Sequence, residues 1–232
     1  MLYFDSAGSF PLLDAAKKAL IDELSNSANP SSDHECGLQA AQKVENVREE
    51  IADTIGAYPS EIIFTSGATE SNNLALKSIL NVNQQKRHII TSKTEHKCIL
   101  SICSYLEQQG FQVTYLSPNK DGIIEQEAVR NTITDNTALV SIMHVNNELG
   151  TINPIREIGK ICFDYNVPFH TDAAQSFGKL DIDVDDLNID FMSISAHKIG
   201  GPKGIGAIYV REARNKNIVP VIHGAGQEMG LR

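Results

Sequence analysis

With 232 residues, 41% of them hydrophobic and 21% charged, the chain has ordinary globular usage and length for one sizeable core, which excludes a fibrous or low-complexity class. No run approaches the roughly 18 apolar residues that a membrane span needs, and a net charge of −9 without a Lys/Arg cluster argues against both membrane and nucleic-acid partners. Cys36, Cys98, Cys103 and Cys162 show no CxxC pair and no spacing with histidine that a metal would use, so no metal site or redox dithiol is expected and buried structural thiols are.

The opening "YFDSAGSFP" has neither the basic start nor the long apolar stretch of a secretory signal, so a reducing compartment, the cytoplasm, is expected. Leu12 to Ser25 carries Leu13, Ala16, Leu20 and Leu24 at helical spacing, entered through Pro11. "NSANPSSDHECG" breaks that helix as a polar loop. A second amphipathic helix follows from Leu38 to Ile55, with Leu38, Ala41, Val44, Val47, Ile51 and Ile55 on one face and Gly56 closing it. Residues 1–55 thus read as an N-terminal helical arm, and residues 56–232 as a large domain.

In that domain short apolar runs alternate with helical ones: "EIIFT" then "ESNNLALKSIL", "HIITS" then "KCILSICSYLEQQG", "FQVTYL" then "EQEAVRNTI", "ALVSIM" then "IREIGKICFDYN", and "VPFHTD". Such β-α repetition implies an α/β fold with a mostly parallel central sheet flanked by helices, and ligand sites beyond the carboxyl ends of the strands.

The polar residues at those ends supply the chemistry. "FTSGATESNN" leads through Ser66, Gly67 and Ala68 into a helix near Thr69, where free N–H groups and the Thr69 hydroxyl can cradle a phosphate. Thr69 as a plain helix cap with Glu70 in the first turn is the alternative, and the GxxxxGK[ST] loop of nucleotide hydrolases is absent. Asp172 and Gln175 follow "FHT"; a carboxylate there can hold a protonated ring nitrogen, or cap a turn. His96 follows "HIITSK", and Asn146, Asn147 and Glu148 follow "ALVSIM". Lys198 leaves the apolar run "DFMSIS" for a glycine-rich loop, an unusual setting for a strongly hydrated side chain. Together, a phosphate cradle, an acid for a ring nitrogen, amides for a ring hydroxyl, an imidazole and a strand-end lysine are the parts that hold pyridoxal 5'-phosphate (PLP).

In "YFDSAG", "NPSSDHECG", "FTSGATESNNLAL", "IITSKTEHK", "HVNNELGTINPI", "HTDAAQSFGKL", "SISAHKIGGPKGIGAIYV" and "GAGQEMGLR" the chain resembles the cysteine desulfurases of the PLP-dependent class V aminotransferases, in the branch serving iron–sulfur assembly and tRNA thiolation. The resemblance implies the large domain of a fold-type-I PLP transferase. It makes Lys198 the Schiff-base lysine, pairs Asp172 with the pyridine nitrogen, and sets Gln175 and Asn147 at the ring hydroxyl, Asn147 also facing the substrate carboxylate. It stacks His96 on the ring as a proton-transfer group and gives the phosphate to Ala68, Thr69, Ser195 and His197. L-cysteine as substrate, alanine as product, a sulfur-acceptor or scaffold protein and a homodimer follow from the same resemblance. Family members continue into a small C-terminal domain with the persulfide cysteine, which this sequence does not contain, and none of its four cysteines falls at that thiol's place. Two alternatives accompany this reading: a catalytically incomplete PLP-binding protein that pairs with a complete subunit, and a PLP lyase or aminotransferase for another amino acid. Ser6, Gly8 and Ser9 depart from the family's usual start and border the site, and Lys203 reads as a solvated loop charge.

Overall fold

The computed structural model describes residues 2–82, 85–213 and 218–232. A seven-stranded sheet lies at its centre. In chain order its strands are β1 (Ile62–Thr65), β2 (His88–Ser92), β3 (Gln112–Leu116), β4 (Thr137–Ser141), β5 (Phe169–Asp172), β6 (Phe191–Ser195) and β7 (Gly206–Val210). The spatial order is β1-β7-β6-β5-β4-β2-β3. Pairing is parallel from β3 through β6, while β7 runs antiparallel to both β6 and β1.

The helices are α1 (Asp14–Glu23), α2 (Glu35–Ile55), α3 (Ala68–Val82), α4 (Lys97–Gln108), α5 (Gln126–Thr132) and α6 (Ile155–Asp164), with a short, irregular α7 (Gln227–Gly230) near the end of the chain. They cover both faces of the sheet. Ile90, Val140, Phe169 and Met192 point to the layer holding α5 and α6, whereas Ile89, Leu139, Phe191 and Ile208 point to the layer holding α3 and α4. Every residue of β2, β4, β5, β6 and β7 is buried, so these strands have no solvent-facing side, even where they carry polar residues such as His170, Thr171 and Ser193. None of the helices among the described residues is long and apolar enough to cross a membrane.

Chain order and spatial order diverge between β2 and β4: β3 lies outside β2, and the chain then returns to lay β4, β5 and β6 on the other side. That divergence is a topological switch point, where the loops after neighbouring strands part and leave a crevice at the carboxyl edge. Lys93 to His96 follow β2, Ile142 to Asn147 follow β4, Asp172 ends β5 and Ser195 ends β6.

The N-terminal segment differs in two ways from the sequence expectation. The first helix starts at Asp14, later than Leu12, because the Leu13 N–H is donated to the Gly200 carbonyl at 3.0 Å and the Phe10 N–H to the His197 carbonyl at 2.9 Å. Those bonds pin the strand-like entry to the lysine loop before the helix begins. The second helix starts at Glu35, inside the supposed loop, because the His34 ring accepts the Gly37 N–H at 3.1 Å and caps it. The apolar stripe of α1 buries none of its residues. By contrast, α2 places Ala52 and Ile55 in the core. Arg48, also on α2, donates to both carboxylate oxygens of Glu228 at 2.7 and 3.0 Å and to the Ile62 carbonyl at 2.7 Å. Glu228 accepts the Phe64 N–H at 2.8 Å, so this ion pair covers the outer edge of β1, which would otherwise be an unpaired strand edge.

Candidate active site

Lys198 sits at the end of a single 3₁₀ turn, Ala196–Lys198, that follows β6 directly. A tight turn is required because Gly200 has φ +85° and packs against Leu13, leaving no room for a side chain. The lysine is half-buried, and its Nζ donates to the Ala7 carbonyl at 2.6 Å and the Gly8 carbonyl at 2.9 Å. Burial, together with the charge of Lys179, pulls the Lys198 ammonium below its ordinary range, while Asp172 and Asp5 oppose that shift. The opening segment is thus a strap across the lysine. It is tied down further by Gln175, whose Nε2 donates to the Ala7 carbonyl at 2.8 Å, and by contact of Ser9 Oγ with His197 Nδ1 at 3.3 Å.

Asp172 ends β5 and is buried. Its Oδ1 accepts the Ala174 N–H at 2.9 Å and its Oδ2 accepts Asn72 Nδ2 at 2.8 Å. Burial raises its carboxyl above the ordinary value, and the two hydrogen bonds pull it back, helped by the nearby His96 and Lys198. Both hydrogen-bond partners are neutral, so the carboxylate has room for a cationic N–H of a bound molecule, the usual way a buried charge is compensated.

His96 caps α4, its Nδ1 accepting the Cys98 N–H at 3.2 Å. The loop that carries it is braced from below. Glu95 is buried, accepts the Met143 N–H at 2.8 Å, and is pushed well above the carboxylate range, chiefly by burial. Asn146 donates to the Thr94 carbonyl at 2.8 Å and accepts the N–H groups of Glu148 and Leu149. Of the two asparagines in "VNN", Asn146 is therefore the brace and Asn147 the one that faces the cavity.

At the fourth wall, α3 begins at Ala68, so Thr69 lies inside the first turn and is not its cap. The first-turn N–H groups of Ala68 and Thr69 have no intrahelical partner. The helix end reaches the sheet closely because both approaching residues are glycines: a Cβ on Gly206 would stand 2.6 Å from the Gly67 Cα. Ser66 N–H is taken by Glu70 at 2.7 Å. The hydroxyls of Thr69 and Ser195 and the His197 ring complete a donor-rich corner on the same cavity.

One cavity of about 450 Å³ is lined by Ala68, Thr69, His96, Asn147, Asp172, Gln175, Ser195, His197 and Lys198, every residue to which the resemblance gives a role, whereas Asn146 and Glu148 do not line it. Lys203 and Gly8 also line it, as does Cys98. The expectation that all four cysteines are buried fails for Cys36, which is exposed, and for Cys98, which opens onto the cavity; Cys103 and Cys162 are buried. The donor set fits PLP: backbone N–H, hydroxyl and imidazole donors at a helix end for a phosphate, a buried carboxylate lacking a cationic hydrogen-bond partner for a ring N–H, and an amine half withdrawn from water. Three contacts lay outside the sequence reading: the strap carbonyls on Lys198, Asn72 on Asp172, and the Cys98 sulfur beside His96. The run "ESNN" carried the only available signal for Asn72, a polar residue on the helix face that meets the sheet.

The chain matches the aminotransferase class-V family over residues 2–230. It is 52% identical to the cysteine desulfurase IscS of Rickettsia bellii, covering 100% of this chain and 57% of that protein. It is 50% identical to the mitosomal cysteine desulfurase of Trachipleistophora hominis, covering 100% of this chain and 54% of the relative. The chain thus spans little more than half the length of these curated relatives. Among solved structures it is similar to SspA in complex with cysteine, with TM-score 0.96 and 54% identity over 100% of this chain and 67% of that one. A NifS-like protein superimposes with TM-score 0.95 at 40% identity, covering 100% of this chain and 64% of its own. The cofactor of this family is PLP, and with the model match spanning nearly every residue and the strand-end cavity in place, the chain belongs to the class V aminotransferases.

Proposed function

We propose that the chain is the cofactor-binding portion of a cysteine desulfurase, which takes L-cysteine to L-alanine and passes the sulfur through a protein thiol to an acceptor or scaffold protein. The observation that carries this reading is the convergence of Lys198, Asp172 and His96 with the phosphate corner on one cavity at the switch point. Bound there, PLP would supply an electron sink for the substrate Cα. Ala68, Thr69, Ser195 and His197 would hold its phosphate, Asp172 its ring nitrogen, and Gln175 and Asn147 its ring hydroxyl.

Lys198 Nζ is the group that would hold the cofactor's aldehyde and would take the proton from the substrate Cα. Burial favours its neutral form, which both tasks need. The Ala7 and Gly8 carbonyls accept its N–H bonds and so must be given up before the amine turns to the cavity. Asp172 stays anionic opposite a cation and in that state steadies charge without moving a proton. His96 stands over the cavity rim with one ring nitrogen free to exchange a proton with the substrate.

The four cysteines are unpaired thiols, which suits the cytoplasm. A second copy of the chain is expected to cover exposed apolar residues such as Leu20 and Ile21 on α1 and Leu24 just after it. The test is a spectrum and an assay: PLP added to the purified protein gives a visible absorbance band that Lys198→Ala abolishes, and L-cysteine yields alanine when a thiol acceptor is supplied. A colourless protein would overturn the site assignment. A coloured protein that turns over another amino acid and ignores cysteine would overturn the substrate.

A further inference from the structure

We infer that Asn72 and Cys98 are positioning residues that join Asp172 to His96 through one directional chain of hydrogen bonds and fix which nitrogen of His96 carries the proton. The inference deepens the reading of the cavity above, but its test is made on the protein without cofactor.

The geometry runs from one wall of the cavity to the other. Asn72 is fully buried on the first turns of α3, and its Nδ2 donates to Asp172 Oδ2 at 2.8 Å and to Cys98 Sγ at 3.1 Å. Cys98 Sγ in turn lies 3.1 Å from His96 Nδ1. An amide nitrogen has two hydrogens and both are spent, one on the carboxylate and one on the sulfur. The opposite orientation of the amide would set its oxygen against the Asp172 carboxylate, so the anion chooses the direction. The consequence is visible on the other side of the amide: Asn72 Oδ1 is buried without a hydrogen-bond partner. Leaving an oxygen unsatisfied is unfavourable, and a charge-assisted bond to Asp172 is what offsets it.

The sulfur, accepting from Asn72, has its own S–H to place. His96 Nδ1 is the acceptor within reach, and it also accepts the Cys98 backbone N–H at 3.2 Å. A ring nitrogen that accepts two bonds holds no proton, so in neutral His96 the proton sits on Nε2. The thiol must stay protonated for this to work. Burial pushes Cys98 up, with the charges of Asp172 and Glu95 adding to it against the Asn72 bond. The same environment makes Cys98 a poor nucleophile, which separates it from the sulfur-carrying thiol the proposed reaction needs.

The chain of bonds therefore presents Nε2–H of His96 toward the cavity while keeping Asp172 oriented. The test is two-bond ¹⁵N–¹H correlation of the histidine rings in cofactor-free protein, with His96→Gln assigning the ring. Wild type is expected to show His96 as the Nε2–H form. Cys98→Ala is expected to move the Nδ1 resonance and mix the two forms, with Cys98→Ser restoring the single form. Asn72→Ala is expected to speed labelling of Cys98 by a disulfide reagent at least severalfold in a Cys36→Ser background. His96 found protonated on Nδ1, or a His96 resonance unmoved by Cys98→Ala in a protein whose other histidine signals show it folded, overturns the inference. Neither outcome depends on whether PLP binds.

Discussion

Asp172 and Lys198 face the same cavity but are held in opposite ways. Asp172 ends a strand whose neighbours are both parallel and fully buried, and its oxygens are fixed by Ala174 and Asn72. Lys198 lies on a short turn and is held by two carbonyls of an exposed segment 190 and 191 residues away in sequence. The first arrangement is wall and the second is strap. The wall's position follows from close packing of strands and helices, so moving it would disturb the core. The strap has little apolar burial of its own, and its ties are a few hydrogen bonds at the surface, each contributing about 0.5–1.5 kcal/mol. A site that needs one immobile charge and one movable amine is served by having one of each.

Acid is the strongest expected way to break the wall. His170 lies within the sheet between Ser141 Oγ at 2.8 Å and Ser193 Oγ at 3.2 Å, and burial lowers it to about 3. Burial also lowers His144 to about 4. In the unfolded chain each titrates near 6.5, so below that pH the unfolded state binds protons the folded state refuses. The stability they contribute is fully present above about pH 6.5 and is lost as pH falls toward 4, at up to about 1.4 kcal/mol per pH unit for each histidine. Urea unfolding at pH 7, 6 and 5 should trace this loss, and His144→Gln should make the dependence distinctly shallower. An unchanged slope would place the proton uptake elsewhere. The next effect is a cavity in the wall: Phe169→Ala, at a fully buried position on β5, is expected to cost about 3–5 kcal/mol in the same unfolding assay.

Glu95 sharpens the comparison because two substitutions should act in opposite directions. Its Oε1 accepts the Met143 N–H while Oε2 is buried without a partner, and burial raises its carboxyl well above the usual range. A buried acid with a raised value lowers stability at neutral pH, since the unfolded chain ionises freely. Glu95→Gln keeps the acceptor without the charge and should leave stability at pH 7 unchanged or higher. Glu95→Ala strands the Met143 N–H and should lose about 1–3 kcal/mol. Equal losses for both would mean that the charge, rather than the hydrogen bond, is what the loop needs.

The wall was far more legible in the sequence than the strap. Apolar runs such as "ALVSIM" and "DFMSIS" announce buried parallel strands, and polar residues just beyond them mark the crevice, because both signals are local in the chain. The antiparallel placement of β7 between β6 and β1 was not legible, since "GIGAIYV" fits either direction and pairing depends on a partner far away in sequence. Asn72 and Cys98 were equally hidden. Each sits in an ordinary helical pattern, and only the packing of α3 and α4 on the sheet brings them between Asp172 and His96. The α1 stripe is a different case: helical periodicity announced the helix correctly, but among the described residues none of the helix is buried.

The smallest expected change in stability is the one that tests the strap most directly. A Cβ on Gly8 would stand 2.5 Å from Asp5 Oδ2, the end of a flexible and exposed side chain. In Gly8→Ala the Asp5 carboxylate should swing away and give up the Gly8 N–H it accepts at 3.1 Å. That loosens the turn whose next carbonyls hold Lys198, while Tyr3 still ties the segment to the carbonyls of Asp5 and Ser9. Unfolding free energy should change by less than about 0.5 kcal/mol, the usual range for surface substitutions. The Lys198 amine, freed more often from its two acceptors, should capture added PLP severalfold faster in stopped-flow absorbance. If capture by Gly8→Ala matched the parent, the carbonyls would not be what restrains the amine, and the strap would be a passive cover over a lysine already free to react.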